Sequence, residues 1–124
     1  MKVIALDPRS EPVVDELAQQ QWNKAAFFTA AELTSDAERL REAIDTADLV
    51  VMVAAAGGHP RDVALIGEAC SRRRVTTTGL IVCDAETSDE ALSETLGRLR
   101  PWMLMLVVAS SRDYIGDMLL ALRA

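Results

Sequence analysis

Side chains that can bind ions or transfer protons are concentrated in the short polar segments that follow the apolar runs of this sequence. They are Asp7, Arg9, Ser10, His59, Arg61, Asp84, Ser110, Ser111 and Arg112. Arginine guanidinium groups bind phosphate or carboxylate through paired hydrogen bonds, so the three arginines could clamp an anion. The alternative is that they are solvated or pair with neighbouring acids, because loops are polar in any protein.

His59 is the side chain whose unperturbed pKa lies near neutrality, so it is the natural candidate for a general acid or base. Asp7 or Asp84 could orient it, which defines the hypothesis of a small enzyme. The alternative is a surface histidine without a chemical role. Ser10 and Ser111 are interpreted as helix caps rather than nucleophiles, because no GxSxG motif surrounds either serine.

A Gly57-Gly58 pair separates an apolar run from a helical pattern. Residues 49–53, LVVMV, predict a strand covered on both faces, and three alanines then shrink the side chains before the glycines. Pro60 suits the first turn of the helix that follows. Free N–H groups at such a junction favour an anionic ligand. The alternative is a tight connection that needs glycine for its backbone angles.

Length and composition indicate a single domain with an aliphatic core, since the 124 residues are 50% apolar but only 4% aromatic. The net charge of −6 argues against a generic nucleic-acid surface, which needs a basic stripe. No apolar run is long enough to span a membrane, and the first residues lack a signal-peptide pattern, so we expect a cytoplasmic protein. Cys70 and Cys83 are expected to be buried free thiols. No CxxC or HExxH motif predicts a metal site.

Five apolar runs alternate with five amphipathic patterns, which predicts an α/β fold. The predicted strands are 2–6, 25–29, 49–53, 75–82 and 102–109. The predicted helices begin near Ser10, Ser35, Pro60, Thr87 and Ser110 or Ser111, with Ser35/Glu38 and Thr87/Glu90 at capping-box spacing. We therefore expect a three-layer, Rossmann-like open sheet of about five parallel strands with helices on both faces. The expected strand order is 3-2-1-4-5, and the flavodoxin-like order 2-1-3-4-5 is the alternative.

Open parallel sheets bind ligands beyond the carboxyl ends of their strands. The sequence therefore predicts a site for a small anionic, nucleotide- or phosphate-like ligand at that edge. The expected ligand-binding residues are Asp7, Arg9, Gly57, Gly58, His59, Arg61, Asp84 and Ser110. Two familiar classes of α/β domain do not fit this sequence. The glycines of a dinucleotide-binding domain are missing after the first strand, and a phosphate-receiver domain would need an Asp after the third strand and a Lys after the fifth.

Residues 47–82 resemble a known family. The segments ADLVVMVAAAGG, VALIGEA and TTTGLIV are similar to the phosphate-loop region of the tubulin/FtsZ GTPase fold. The resemblance implies that Gly57 and Gly58 match the start of the phosphate loop. This chain has GGHPR where the family has a longer GGGTGTG loop, and DPRS replaces the family's glycine-rich first loop. GTP hydrolysis and filament formation are therefore not implied.

Three functional hypotheses follow. The first is a module that binds a small anionic ligand at Gly57 to Asp62 without strong catalysis. The second is a regulatory or protein-interaction domain that forms a homodimer, suggested by the apolar last helix, Tyr114 to Leu122, and by Trp22 and Trp102 at element ends. In that case the alternative is that the last helix only covers the sheet. The third is the enzyme that uses His59.

Overall fold

The fold is built on one parallel β-sheet. The computed structural model describes residues 1–20, 22, 25–58, 60, 62–110 and 112–121, with residues 112 and 113 described by their backbone alone. The five strands are β1 (Lys2–Ala5), β2 (Ala26–Thr29), β3 (Leu49–Ala55), β4 (Thr76–Val82) and β5 (Met105–Ala109). All four strand pairings are parallel. The predicted parallel α/β sheet is therefore confirmed.

Helices cover both faces of this sheet. They are α1 (Glu11–Ala18), α2 (Ala30–Thr34), α3 (Ala37–Asp45), α4 (Val63–Arg72), α5 (Asp89–Leu99) and α6 (Arg112–Ala121), with a 3₁₀ turn at Arg100–Trp102. On one face, α1 and α6 pack Leu17 and Leu119 against the sheet. On the other, Ile44 of α3, Ile66 of α4 and Leu99 of α5 form a second aliphatic cluster. The three-layer arrangement is confirmed.

The strand order is β2-β1-β3-β4-β5. The expected order 3-2-1-4-5 was wrong, and the flavodoxin-like alternative is the one observed. The physical reason lies in the lengths and burial of the strands. The expected order would place β3 at an edge, yet β3 has seven residues, six of them buried, and is stabilised by a neighbour on each side. The four half-buried residues of β2 occupy the edge instead.

The caps of two helices differ from the prediction by one residue each. Asp36, not Ser35, caps α3 by accepting the N–H of Glu38 (3.0 Å). Ser88, not Thr87, caps α5 by accepting the N–H of Ala91 (3.1 Å). The expected caps are used elsewhere, since the Ser35 hydroxyl donates to the carbonyl of Glu32 at the end of α2, a helix that the sequence pattern did not predict. At α1, Ser10 occupies the cap position, but its side chain makes no cap hydrogen bond.

The boundaries around the glycine pair also differ. Ala54 and Ala55 continue β3 instead of beginning the loop. Helix α4 begins at Val63 rather than at Pro60, because Asp62 has a left-handed backbone with φ of 63° just before it. Strand β5 begins at Met105 rather than at Trp102, because the chain first makes the 3₁₀ turn.

Candidate functional site

The carboxyl ends of β1 and β3 enclose a pocket of about 500 Å³, which we call the rim pocket. In this strand order the chain passes from β1 to β2 in one direction across the sheet and from β3 to β4 in the other, so β1 and β3 flank the topological switch point where such sheets bind ligands. Its walls are mostly small or apolar, and its polar lining consists of Asp7, Arg9, Glu11, Asp62 and the backbone of Gly57 and Gly58. Ligand pockets commonly enclose 300–1,000 Å³, so this volume suits a small molecule.

Asp7 joins the two strand ends that form the pocket floor. It is buried (3% exposed), and its Oδ1 atom accepts the N–H of Ser10 (2.8 Å) within its own turn. Its Oδ2 atom accepts the N–H of Ala55 (3.1 Å) at the end of β3. The Ser10 hydroxyl completes the turn by donating to the carbonyl of Asp7 (3.0 Å). Both carboxylate oxygens are therefore engaged in holding the rim together.

The glycine loop uses its backbone donors within the protein. The Gly57 N–H donates to Oγ1 of Thr95 (3.1 Å), a buried side chain on α5, and the Gly58 N–H donates to the carbonyl of Ala55 (2.9 Å). Gly57 has φ of +79°, a conformation that glycine adopts without strain. At Gly58, a Cβ atom would lie 2.7 Å from Oδ2 of Asp7. The loop is thus shaped by close contacts to Asp7 and Thr95, and these two N–H groups do not point freely at a ligand.

Arg9 provides the positive charge among the described residues that line the rim pocket. Its Nη1 atom donates to the carbonyl of Ala56 at 3.4 Å, a long bond that leaves most of the guanidinium's donors for other partners. Glu11 and Asp62 line the same pocket, and Asp62 accepts the Thr34 hydroxyl (3.1 Å). Because three carboxylates and one guanidinium line the pocket, it suits a ligand that combines a single acidic group with hydrogen-bond donors.

A second pocket of about 290 Å³ lies on the other side of Arg9, over the ends of β4 and β5. Cys83, Asp84, Thr87 and Ser110 contribute to it. Asp84 is exposed, and its Oδ1 accepts the N–H of Glu86 (2.9 Å) and the hydroxyl of Thr87 (3.1 Å). This carboxylate is therefore held within its own turn.

Both thiols are free. Cys70 is fully buried on α4, and burial raises its pKa to about 11. Cys83 is half-buried rather than buried as expected, and its pKa is raised, first by burial and then by the negative charge of Asp84. Neither environment favours the thiolate, which is the nucleophilic form of cysteine.

The structure brings the described members of the expected ligand-binding set to one edge of the sheet. Asp7, Gly57 and Gly58 line the rim pocket, Asp84 and Ser110 line the second pocket, and Arg9 lines both. His59, Arg61 and Ser111 lie outside the described residues, so the hypotheses that use them stay predictions. Among the residues that the structure describes, no group of three or more potential metal ligands occurs.

Sequence reasoning missed two residues of the rim. Glu11 belongs to the polar lining of the pocket, and Thr95 supports the glycine loop from α5. A signal for Thr95 was present, because it is a polar residue inside the apolar stripe of α5, between Leu92 and Leu99. A buried hydroxyl requires a hydrogen-bond partner, but the sequence does not say which group provides it.

A groove of about 280 Å³ between α3 and α4 is a weaker candidate. Its charged side chains already pair with neighbours, since Arg72 contacts Glu68 (2.6 Å), Arg41 contacts Glu38 (3.2 Å) and Arg73 contacts Asp45. The rim pocket, by contrast, contains a guanidinium with unused donors.

The two tryptophans that suggested an interaction surface make contacts within the domain itself. The Trp22 indole N–H donates to the carbonyl of Leu17 (2.6 Å), and its ring lies 6.1 Å from that of Phe27. Trp102 packs directly against Gly67 of α4. Helix α6 buries Ile115 and Leu119 against the sheet.

The fold and the pocket define a class, a small α/β domain with a ligand-sized pocket at the switch point of a parallel sheet. Comparison with known proteins found no matching family model and no matching curated sequence. Within the described part of the chain, no helix has both the length and the apolar character that a membrane span requires.

Proposed function

We propose that this protein is a non-catalytic or weakly active module that binds a compact ligand with an acidic group in the rim pocket. The observation that carries the proposal is the pocket of about 500 Å³ at the switch point of the sheet, with Arg9 at its edge. A phosphate or carboxylate of the ligand pairs with the Arg9 guanidinium, which provides two parallel donors.

The other polar groups of the rim pocket restrict the class of ligand that could bind there. Because the Gly57 and Gly58 N–H groups donate to Thr95 and Ala55, Arg9 rather than the loop backbone recognises the acid. Glu11 and Asp62 accept hydrogen bonds from hydroxyl or amino groups elsewhere on the ligand. A nucleoside monophosphate or a sugar phosphate has this combination. The resemblance to the phosphate-loop region favours a nucleotide and stays a prediction.

The enzyme alternative has less support. Asp7 and Asp84, the carboxylates expected to orient His59, each accept two hydrogen bonds from their own neighbourhood. A protein that only senses or carries a ligand does not need a general base. The two free thiols support a reducing compartment, and we propose that the protein acts in the cytoplasm.

Ligand-dependent thermal stabilisation tests the proposal. The probes are inorganic phosphate, citrate, a panel of nucleoside monophosphates and a panel of sugar phosphates. A probe present at 100 times its Kd is expected to stabilise the native state by about 2.7 kcal/mol and to raise the Tm by roughly 10 °C. The Arg9→Gln variant is expected to lose this shift.

Arg98→Gln provides the matched control, because Arg98 is an exposed arginine on α5 that pairs with Glu94 (3.0 Å) outside the pocket. This variant is expected to keep the full shift. If no probe in the panel stabilises the protein, or if Arg9→Gln responds like the native chain, the proposal is wrong.

A further inference from the structure

The strand at one edge of the sheet carries an uncovered apolar surface. Strand β5 pairs with β4 on one side and ends the strand order on the other. Among the described residues, the large exposed apolar side chains are Leu104 (79%), Met105 (44%), Val108 (44%), Tyr114 (51%), Leu120 (61%) and Leu65 (48%). All but Leu65 lie on or next to β5 and α6, so the exposure is localised.

Strand β2, at the opposite edge of the sheet, is better covered than β5. Exposure is therefore a property of β5 in particular and not of edge strands in this protein generally. On β2, Phe27 packs against the Trp22 ring, and the Lys2 ammonium lies 5.8 Å from the centre of the Phe28 ring. All four residues of β2 are half-buried. On β5, Leu106 and Val107 pack into the two core clusters, whereas Met105 and Val108 on either face stay exposed.

Helix α6 extends this surface. Ile115 and Leu119 face the sheet, and Gly116, Asp117 and Leu120 line a groove towards α1. With 100° of rotation per residue, Tyr114 and Met118 therefore occupy the opposite flank of the helix, on the side of the β5 edge. We call Leu104, Met105, Val108 and Tyr114 the edge surface.

The sequence of β5 lacks the features that normally prevent an edge strand from pairing with a strand of another molecule. Residues 102–110, WMLMLVVAS, contain no charged residue and no proline. Natural edge strands are normally protected by charges, proline or a bulge, and an unprotected edge pairs with another strand. The pairing of β4 with β5 runs without interruption from Met105 to Ala109, so no bulge twists this edge away.

The area of the edge surface matches what a second copy of the chain requires. The exposed fractions of its four side chains together equal about two fully exposed large side chains, which at roughly 200 Å² each amounts to on the order of 400 Å². A specific interface of standard size covers roughly 800 Å² per partner, and at the apolar fraction of about 65% found in homodimers this corresponds to about 500 Å² of apolar surface. The edge surface is close to this value.

We infer that this protein forms a homodimer through the edge surface, with β5 of each protomer paired antiparallel across a twofold axis. A twofold axis makes the same strand of each copy run in opposite directions, so the contact is closed and self-complementary. The two sheets then form one continuous sheet of ten strands. Met105, Val108 and Tyr114 of each copy pack across the new junction.

Molar mass in solution tests this inference. Sedimentation equilibrium of the full chain at roughly 100 μM is expected to give twice the chain mass of 13.5 kDa. Val108→Lys and Met105→Lys each place a charge on one face of the edge strand, and both are expected to give the monomer mass. Circular dichroism and thermal unfolding verify that each variant is folded. Two variants are used so that misfolding of one leaves the other to decide.

Leu65→Lys is the matched control, because Leu65 is as exposed as the edge residues (48%) but lies on α4. It is expected to keep the dimer mass. A native chain that stays monomeric at several hundred micromolar would overturn the inference. So would loss of the dimer in Leu65→Lys, or a folded Val108→Lys variant that remains dimeric. None of these outcomes depends on the ligand proposed above.

Discussion

At the scale of single residues, Asp7 shows how one side chain organises the rim. Its position after an apolar run identified it as a candidate for binding or catalysis, and the structure places it at the floor of the pocket. Its two oxygens accept backbone N–H groups from Ser10 and from Ala55, which is 48 residues away. The local bond is typical of Asp in turns, whereas the distant bond depends on the pairing of β1 with β3.

We predict that Asp7→Ala destabilises the protein by about 1–3 kcal/mol, because the buried N–H of Ala55 loses its side-chain acceptor. The Ser10 N–H also loses a side-chain acceptor but still donates to the backbone carbonyl of residue 7 (3.2 Å). Urea unfolding followed by circular dichroism measures the change. Asp84→Ala is the control, because Asp84 also accepts hydrogen bonds in the turn after a strand but is exposed, so it is expected to cost less than about 1 kcal/mol. Equal costs at the two positions would contradict the role given to Asp7.

At the scale of elements, the contact between α4 and the 3₁₀ turn sets where β5 begins. A Cβ atom at Gly67 would lie 2.8 Å from Cβ of Trp102, so only glycine allows this close approach. The Thr77 hydroxyl on β4 also receives the N–H of Leu104 (3.3 Å) and donates to the carbonyl of Trp102 (2.7 Å). These contacts hold residues 102–104 outside the ladder, although their apolar character predicted a strand.

Gly67→Ala and Gly97→Ala are predicted to change stability in opposite directions. The added methyl group at position 67 overlaps Trp102 and is expected to cost about 1–3 kcal/mol through overpacking. Gly97 lies within α5 with nothing within 4 Å of an added Cβ, so alanine there is expected to gain about 0.5–1 kcal/mol from helix propensity. Thermal and urea unfolding of the pair measure both effects. A neutral or stabilising Gly67→Ala would show that Trp102 moves aside easily.

At the scale of the whole molecule, stability is greatest at the centre of the sheet. Val50 to Ala54 of β3 are fully buried between β1 and β4, whereas β2 and β5 are edges. Local opening of an edge exposes little core, but opening β3 breaks both aliphatic clusters. The rim pocket lies at the end of this most buried strand, which gives a ligand site a rigid floor.

Hydrogen exchange is predicted to follow this order. In dilute protein, the β3 amides are expected to exchange more slowly than those of β2 and β5 by roughly two orders of magnitude, because they require near-global unfolding. Mass spectrometry of peptic fragments measures the rates. Raising the protein concentration is expected to protect β5 and to leave β2 unchanged, because only β5 lies in the inferred dimer contact. Protection that rises equally at both edges would contradict this assignment.

The sequence by itself determined the number, direction and layering of the strands. Periodicity and apolar runs report local burial, and alternating strands and helices can bury their apolar faces only as a parallel sheet covered on both sides. It also indicated that Asp7, Arg9 and Gly57 would share an edge, since the carboxyl ends of parallel strands meet there. Neighbouring cap residues such as Ser35 and Asp36 compete for the same donors, so the exact helix starts were not determined.

Only the tertiary structure decided the strand order, the partners of the rim groups and the exposed edge. Strand order depends on which side of β1 receives β3, and periodicity is identical for both choices. The hydrogen bond from the Gly57 N–H to Thr95 joins residues 38 positions apart in the sequence. The hydrogen bond from the Ala55 N–H to Asp7 joins residues 48 positions apart. The apolar run of β5 is equally compatible with a central strand and with an edge, because hydrophobicity records what can be buried and not which neighbour buries it.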